Sequence, residues 1–174
     1  LLDSSTRRNL ELAETLREKQ KRGSLLWVLD RTKTAMGGRL LRSYIEQPLI
    51  EKAQIEKRLD AVEELSTDSV TRDEIREYLN PIYDLERLLG RVSYKTANPR
   101  DLIAFRNSLS MLPPIKTVLS AFHKDLLCEI REDIDGLEDI CGLIGSAIEE
   151  EPPISVREGG MIKEGFDEDI DRLR

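Results

Sequence analysis

The sequence predicts an all-α fold, a multi-helix bundle-like core with minor short β segments near its two ends. Three observations carry this. Only 8 of the 174 residues are aromatic while 35% are charged, a balance that suits helices rich in Leu, Glu, Lys and Arg better than strands, which enrich aromatic and β-branched residues. Apolar residues recur at i, i+3 and i+4 through most of the chain. Start and stop signals, Asn-Pro pairs and Ser or Thr caps, bracket these periodic runs. A chain of this length folded as one domain buries roughly 70% of its unfolded surface. The net charge of −7 excludes a stand-alone basic DNA-binding domain, whose affinity would come mostly from cations that release counterions from phosphate.

Residues 6–12 (TRRNLEL) alternate with Leu10 and Leu12 on one side, which predicts a short strand. Residues 17–23 are polar and predict a solvated loop. Ser24 is placed to cap a short helix over LLWVLD, with Trp27 expected as a buried anchor. Residues 34–46 place Met36, Leu40, Leu41, Tyr44 and Ile45 at helical spacing, with Pro48 beyond the end. Gly37 and Gly38 in that helix each cost about 1 kcal/mol relative to alanine, so close approach of a neighbouring backbone is expected there. Ile55, Leu59, Val62 and Leu65 mark the next helix, which ends in the polar run 66–69.

Thr71-x-x-Glu74 has capping-box spacing and predicts a helix over 72–79, stopped by Asn80 and Pro81. Leu85, Leu88, Leu89 and Val92 mark another. Asn98 as N-cap, Pro99 at the first helical position and Asp101 near the positive helix end start the one after. That helix carries Leu102, Phe105, Leu109 and Leu112, and Pro113 with Pro114 predicts a kink or a break and restart. Ile115, Leu119 and Phe122 form a short stripe. Leu137, Ile140, Cys141, Ile144 and Ile148 form a clean one, with Cys141 expected buried as a small hydrophobe. Residues 149–153 end the helical region, a Gly-rich stretch follows, and DEDIDRLR has the acidic start and basic finish of a new helix. The reading totals about six to eight helices with short connectors. It divides into an opening segment and polar loop (1–23), a helical core (24–151) and a connector leading into a new helix (152–174).

The sequence carries no complete catalytic, nucleotide or metal motif. The longest apolar run, Leu25–Leu29, is far short of the ~20 residues of a membrane span, which predicts a soluble chain. Leu1 is not an initiator Met and no secretory leader follows, so the chain reads as an excised piece. Gly160-x4-Gly165 is followed by Phe166, not by the lysine that would reach a nucleotide's phosphates. His123 is the only histidine and has no Ser or Cys partner in a motif. Cys128 and Cys141 are too few for a disulfide framework and wrongly spaced for zinc, which favours a reducing intracellular setting. Asp167, Asp169 and Asp171 resemble the start of a calcium loop, but Arg172 stands where glycine is required, so helix-start electrostatics accounts for them better. Arg7, Arg8, Arg17, Lys19, Lys21, Arg22, Arg39 and Arg42 form local basic clusters with few aromatics between them. They read as solvated or salt-bridged surface more readily than as phosphate contacts.

Several blocks carry more than periodicity. LDSSTRRNLEL (2–12), SLLWVLDRTKTAMGGRLLRSYIEQPL (24–49), RLDAVEEL (58–65), YDLERLLGRV (83–92) and NPRDL (98–102) closely resemble the core, or lever, domain of the MutS family of bacterial DNA mismatch-repair proteins. The tail GGMIKEGFDEDIDRLR is similar to that family's approach to the long lever helix that leads to the DNA clamp. The resemblance implies part of a larger machine, with a mismatch-reading domain, a connector, a clamp and an ABC-type ATPase. The family's mismatch-reading domain and its Walker motifs lie outside what the resemblance covers, and the one Phe-x-Glu spacing here, Phe166 to Glu168, falls in the tail block, so no catalytic, cofactor or metal residue of the family carries over to any position here. The segment is therefore expected to be no enzyme and to hold no cofactor. ATP and Mg are implied for the parent, as are mismatched duplex DNA reached through other domains, a homodimer, a MutL-type partner and a bacterial cytoplasmic, nucleoid-associated location without membrane contact. The role implied is structural, coupling the ATPase to the clamp. Alternatives are the core of a MutS paralogue acting in recombination, or a generic helical interaction scaffold.

Overall fold

The computed structural model describes residues 2–173. The chain forms α1 (Ser4–Asn9), α2 (Leu25–Leu29), α3 (Ala35–Glu46), α4 (Lys52–Thr67), α5 (Ser69–Leu79), α6 (Leu85–Ser93), α7 (Pro99–Leu109), α8 (Leu112–Leu119), α9 (Asp125–Asp133), α10 (Glu138–Ala147) and α11 (Glu168–Arg172), with a 3-10 turn at Val156–Glu158. The all-α class stands, with more helices than the periodicity separates. Several are a single turn or little more. α9 was not foreseen.

Corrections concentrate at the N-terminal end. Residues 6–12 are not a strand, because Asp3 caps α1 by accepting the Thr6 N–H at 2.8 Å, and one local carboxylate satisfies the backbone without a neighbouring strand. The chain then turns through Glu11 at φ 48°, leaving Leu12 buried and Leu10 exposed. Ser24 caps α2 as expected, its hydroxyl accepting from Trp27 N at 3.2 Å and donating to Lys21 O at 2.7 Å. Trp27 itself is 47% exposed, since one turn of helix buries only Leu26. At α3 the space beside Gly37 is filled by side chains rather than by a neighbouring backbone: a Cβ there would stand 3.1 Å from the Oγ1 of Thr34, the residue that caps this helix.

Asp68, not the Thr71 and Glu74 pair, caps α5, its carboxylate accepting Thr71 N at 3.0 Å and the Thr71 hydroxyl at 2.5 Å. Asp68 also ends α4, so the two helices share one residue and α5 begins at Ser69. The Asn98 prediction holds: its side chain accepts Asp101 N at 2.9 Å, and Asp101 accepts Asn98 N at 2.8 Å. Pro113 falls in the first turn of a new helix, so the chain breaks after Leu109 and restarts at Leu112. At the C-terminal end the expected β content shrinks, among the described residues, to one isolated antiparallel bridge, Ile148 with Ile162. Its flanking bonds are Glu149 N to Met161 O and Lys163 N to Ala147 O, both 2.9 Å.

Two apolar clusters organise the packing. α4 lies on α5 and α9, and α8 on α5 and α9. These four helices enclose Ala61, Ile115, Leu119, Phe122 and Leu127, with Ile82 from the turn after α5. α6 and α10 pack on α7, and Ile103, Ile144, Ala147 and Ile148 make the second cluster with Phe105, Ile140 and Ile162 at its edge. Cys141 is half-buried rather than buried. Ser108 of α7 is fully buried, donating its hydroxyl to Ala104 O at 2.7 Å and accepting Tyr83 N at 3.0 Å. Replacing it by alanine strands the Tyr83 N–H, so Ser108→Ala is expected to lower the unfolding free energy by about 1–3 kcal/mol. Asn98→Ala removes one cap and is expected to cost about 1 kcal/mol. Urea unfolding followed by circular dichroism measures both.

Candidate functional site

The notable geometry is a set of cross-braces rather than a pocket with chemistry. Arg39 of α3 reaches α6 with a two-pronged fork onto Asp84, Nη1 to Oδ2 at 2.7 Å and Nη2 to Oδ1 at 2.8 Å, and it also contacts Glu86 through Nε at 3.1 Å. Asp84 simultaneously caps α6 through Arg87 N at 3.2 Å. The Arg39 guanidinium holds the Asp84 carboxyl down at about 2. Farther along, Arg91 of α6 pairs with Asp101 of α7 at 2.9 Å. Arg106 of α7 grips Glu150 at 2.8 and 2.6 Å. Lys163 joins Glu150 at 3.3 Å and also donates to Gly145 O at 2.7 Å. Arg106 first, and Lys163 after it, bring the Glu150 carboxyl to about 2.

Within the first cluster, α9 has no cap of its own. Glu64 of α4 supplies one, accepting His123 N and Lys124 N at 2.9 Å each. Burial pushes the Glu64 carboxyl up, but the N–H donors of Lys124 and His123 outweigh it and the group ends below its ordinary value. Lys57 and Glu129 tie the same two helices at 2.5 Å. Exposed ion pairs contribute little to stability, and bidentate arginine forks contribute geometric definition above all. The braces therefore set how the helices sit relative to one another.

The chemistry candidates read from the sequence stay apart. His123 has an 83% exposed side chain, with Nδ1 3.9 Å from Glu64. Cys128 and Cys141 are both free thiols, and burial pushes the Cys141 thiol up. Asp167 caps α11 by accepting Asp169 N and Ile170 N at 3.0 Å, and Asp171 accepts Gly165 N at 2.8 Å. Asp167 serves the helix start, as expected, whereas Asp171 ties back to the preceding turn and Asp169 lies 3.7 Å from Arg172. Among the described residues no group of three or more His, Cys, Asp or Glu side chains is arranged to hold a metal ion. The glycines at 160 and 165 adopt positive φ of 67° and 81° with open space beside them, and no lysine follows. These residues do not fit a nucleotide's phosphates. Nor is any helix of the described residues long and apolar enough to cross a membrane.

The basic residues split. Arg39 and Lys21 are ion-paired, Lys21 with Asp30 at 2.5 Å, and Lys21 is the main reason the Asp30 carboxyl falls to about 2. Arg7, Arg8 and Arg42 line a cleft of about 350 Å³ between α1 and α3 together with Glu14 and Glu46, and Glu46 holds Arg42 at 2.7 Å. Arg17, Lys19 and Arg22 are exposed. Sequence reasoning missed Glu64, Asp84 and Glu150 as organising residues. Their partners lie 44 to 60 positions away, beyond any local pattern.

The described residues form a helical body whose elements are tied to one another by ion pairs. The chain belongs to the MutS domain III family, whose model matches residues 5–172. The chain is 64% identical over its whole length to a DNA mismatch repair protein MutS of Lachnoclostridium phytofermentans, covering 19% of that protein. It is 53% identical to one from Ruminiclostridium cellulolyticum and 52% identical to one from Acetivibrio thermocellus, in each case over the whole chain and 20% of the relative. The chain thus spans about a fifth of the length of these curated relatives.

The brace carboxylates make a pH prediction. Asp84 and Glu150 sit at about 2 when folded, against ordinary values of 3.8 and 4.5. Folded values below unfolded ones mean that their stabilisation is complete above the ordinary range and is lost as pH falls through it towards about 2. Titration of the side-chain carboxyl carbons by NMR is expected to show both low values. Arg39→Gln is expected to raise the Asp84 midpoint towards 3.8 while leaving that of Glu150 in place.

Proposed function

We propose that this domain is the coupling body of a mismatch-repair ATPase, carrying changes at the ATPase to the DNA clamp and back. Membership of the MutS domain III family is the observation that carries the reading. The braces from α3 through α6 and α7 to the C-terminal bridge supply a physical basis for it. A body can bias a remote element only if the end states differ in contacts, and helices held in register transmit displacement instead of absorbing it. In this reading residues 1–23 form the opening of the core, 24–151 its helical body and 152–174 the connector to the long helix that leads to the clamp. The parent binds mismatched duplex DNA through its other domains, uses ATP and Mg at its ATPase, acts as a homodimer with a MutL-type partner, and works in the bacterial cytoplasm.

Two measurements test this. Residues 1–174 alone are expected to hydrolyse no ATP and to bind matched and mismatched duplexes equally weakly at physiological salt. Mismatch-selective binding by the segment would overturn the assignment. In the full-length protein, Arg106→Gln removes the fork on Glu150, leaving it Lys163 alone at 3.3 Å, and is expected to leave ATP hydrolysis within about twofold while reducing the nucleotide-dependent movement of the clamp, read by fluorescence transfer between core and clamp. The coupling free energies at stake are of order 1–3 kcal/mol. Unchanged clamp movement would remove this brace from the coupling route.

A further inference from the structure

Between α6 and α7 lies a cleft of about 490 Å³ lined by three arginines, Arg87 and Arg91 one turn apart on α6 and Arg100 on α7. Its two carboxylates are already engaged. Asp84 accepts both Nη groups of Arg39 and the Arg87 N–H, and Asp101 accepts Arg91 and the Asn98 N–H. Two of the guanidiniums are not. Arg100 gives only its Nε, to Pro152 O at 2.9 Å. The exposed Arg87 guanidinium makes no hydrogen bond or ion pair among the described residues and acts on Asp84 only at longer range. The edge of the cleft adds a flat ring. Tyr83 is 60% exposed there, yet its backbone N–H is pinned to the buried Ser108 at 3.0 Å, so the ring stands on a fixed support. Leu88 and Ala104 add apolar surface beside it.

We propose that this cleft binds a nucleoside monophosphate group, either a free nucleotide or the phosphorylated end of a DNA strand, with the phosphate on Arg87 and Arg100 and the base against Tyr83. Guanidinium forks match the oxygens of phosphate, and a terminal phosphate carries a charge of about −1.5 to −2, which two unengaged arginines complement. An aromatic ring stacks on any base, and the cleft has the size of a small-ligand site. The same charges select a terminal phosphate over the middle of a duplex. A continuous row of phosphates meets Asp84, Glu86 and Asp101 as well as the arginines, whereas a single terminal group reaches the arginines alone and brings the second charge that an internal phosphodiester lacks. The whole site is built from residues 83–104.

The test uses the full-length protein irradiated with iododeoxyuridine monophosphate, whose halogenated base crosslinks to an aromatic ring stacked on it. Mass spectrometry is expected to map an adduct to Tyr83 that thymidine monophosphate competes away and thymidine does not. Arg87→Gln changes an exposed side chain that holds no other part of the fold, and it is expected to weaken binding of the probe about tenfold with an unchanged circular dichroism spectrum. Duplexes with iododeoxyuridine at a phosphorylated end separate the two sources: a Tyr83 adduct from them assigns a strand end, and one from the free probe alone assigns a free nucleotide. No Tyr83 adduct from either probe, an equal adduct from the unphosphorylated nucleoside or from a base inside the duplex, or unchanged binding by Arg87→Gln would each overturn the proposal. Coupling between ATPase and clamp can fail its own test while this one succeeds.

Discussion

The buried hydroxyl of Ser108 is the point on which the arrangement turns. A backbone N–H taken out of water must find an acceptor, and in the turn after α5 the Tyr83 N–H finds it on a serine of α7, 25 positions away. This bond stitches Ile82, which belongs to the first apolar cluster, to the helix that carries Ile103 of the second. It also sets down the next residue, Asp84, where it can cap α6 and receive the Arg39 fork. From α6 the route continues through Arg91 and Asp101 to α7, and through Arg106 and Glu150 to the C-terminal bridge.

The braces and the cores do different work. Burial of Phe122, Ile115 and Leu119 supplies the cohesion, whereas the ion pairs are too solvated to add much and instead define angles between helices. Apolar packing is tolerant of small slides, and the bidentate forks of Arg39 on Asp84 and of Arg106 on Glu150 are not. Glu64 shows the same economy: placed on α4, it caps α9, so the start of one helix is defined by the position of another.

How much of this was legible depends on the range of the interaction. The Asn98, Pro99 and Asp101 start could be read because all its parts lie within four residues, and the Asp167 helix start for the same reason. The reading of residues 6–12 as a strand failed because a period-2 pattern over a few residues competes poorly with an aspartate that caps the backbone locally. Thr71 and Glu74 had the spacing of a capping box, but Asp68 stood three residues earlier and took the role. Trp27 was expected inside on account of its size, yet a one-turn helix has only one side to bury. The family resemblance, by contrast, was carried by long blocks in order, and the match over residues 5–172 agrees with it.

By itself the sequence determined the all-α class, most helix positions and the family, since each rests on local spacing or on extended identity. Only the tertiary structure decided which charges matter. Arg39 and Arg17 are alike as letters, but one is locked onto Asp84 and the other is exposed. The reason is physical: a cap or an apolar stripe is complete within a few residues, whereas Arg39 with Asp84, Glu64 with Lys124 and Arg106 with Glu150 exist only once folding has closed loops of 44 to 60 residues and brought their helices side by side.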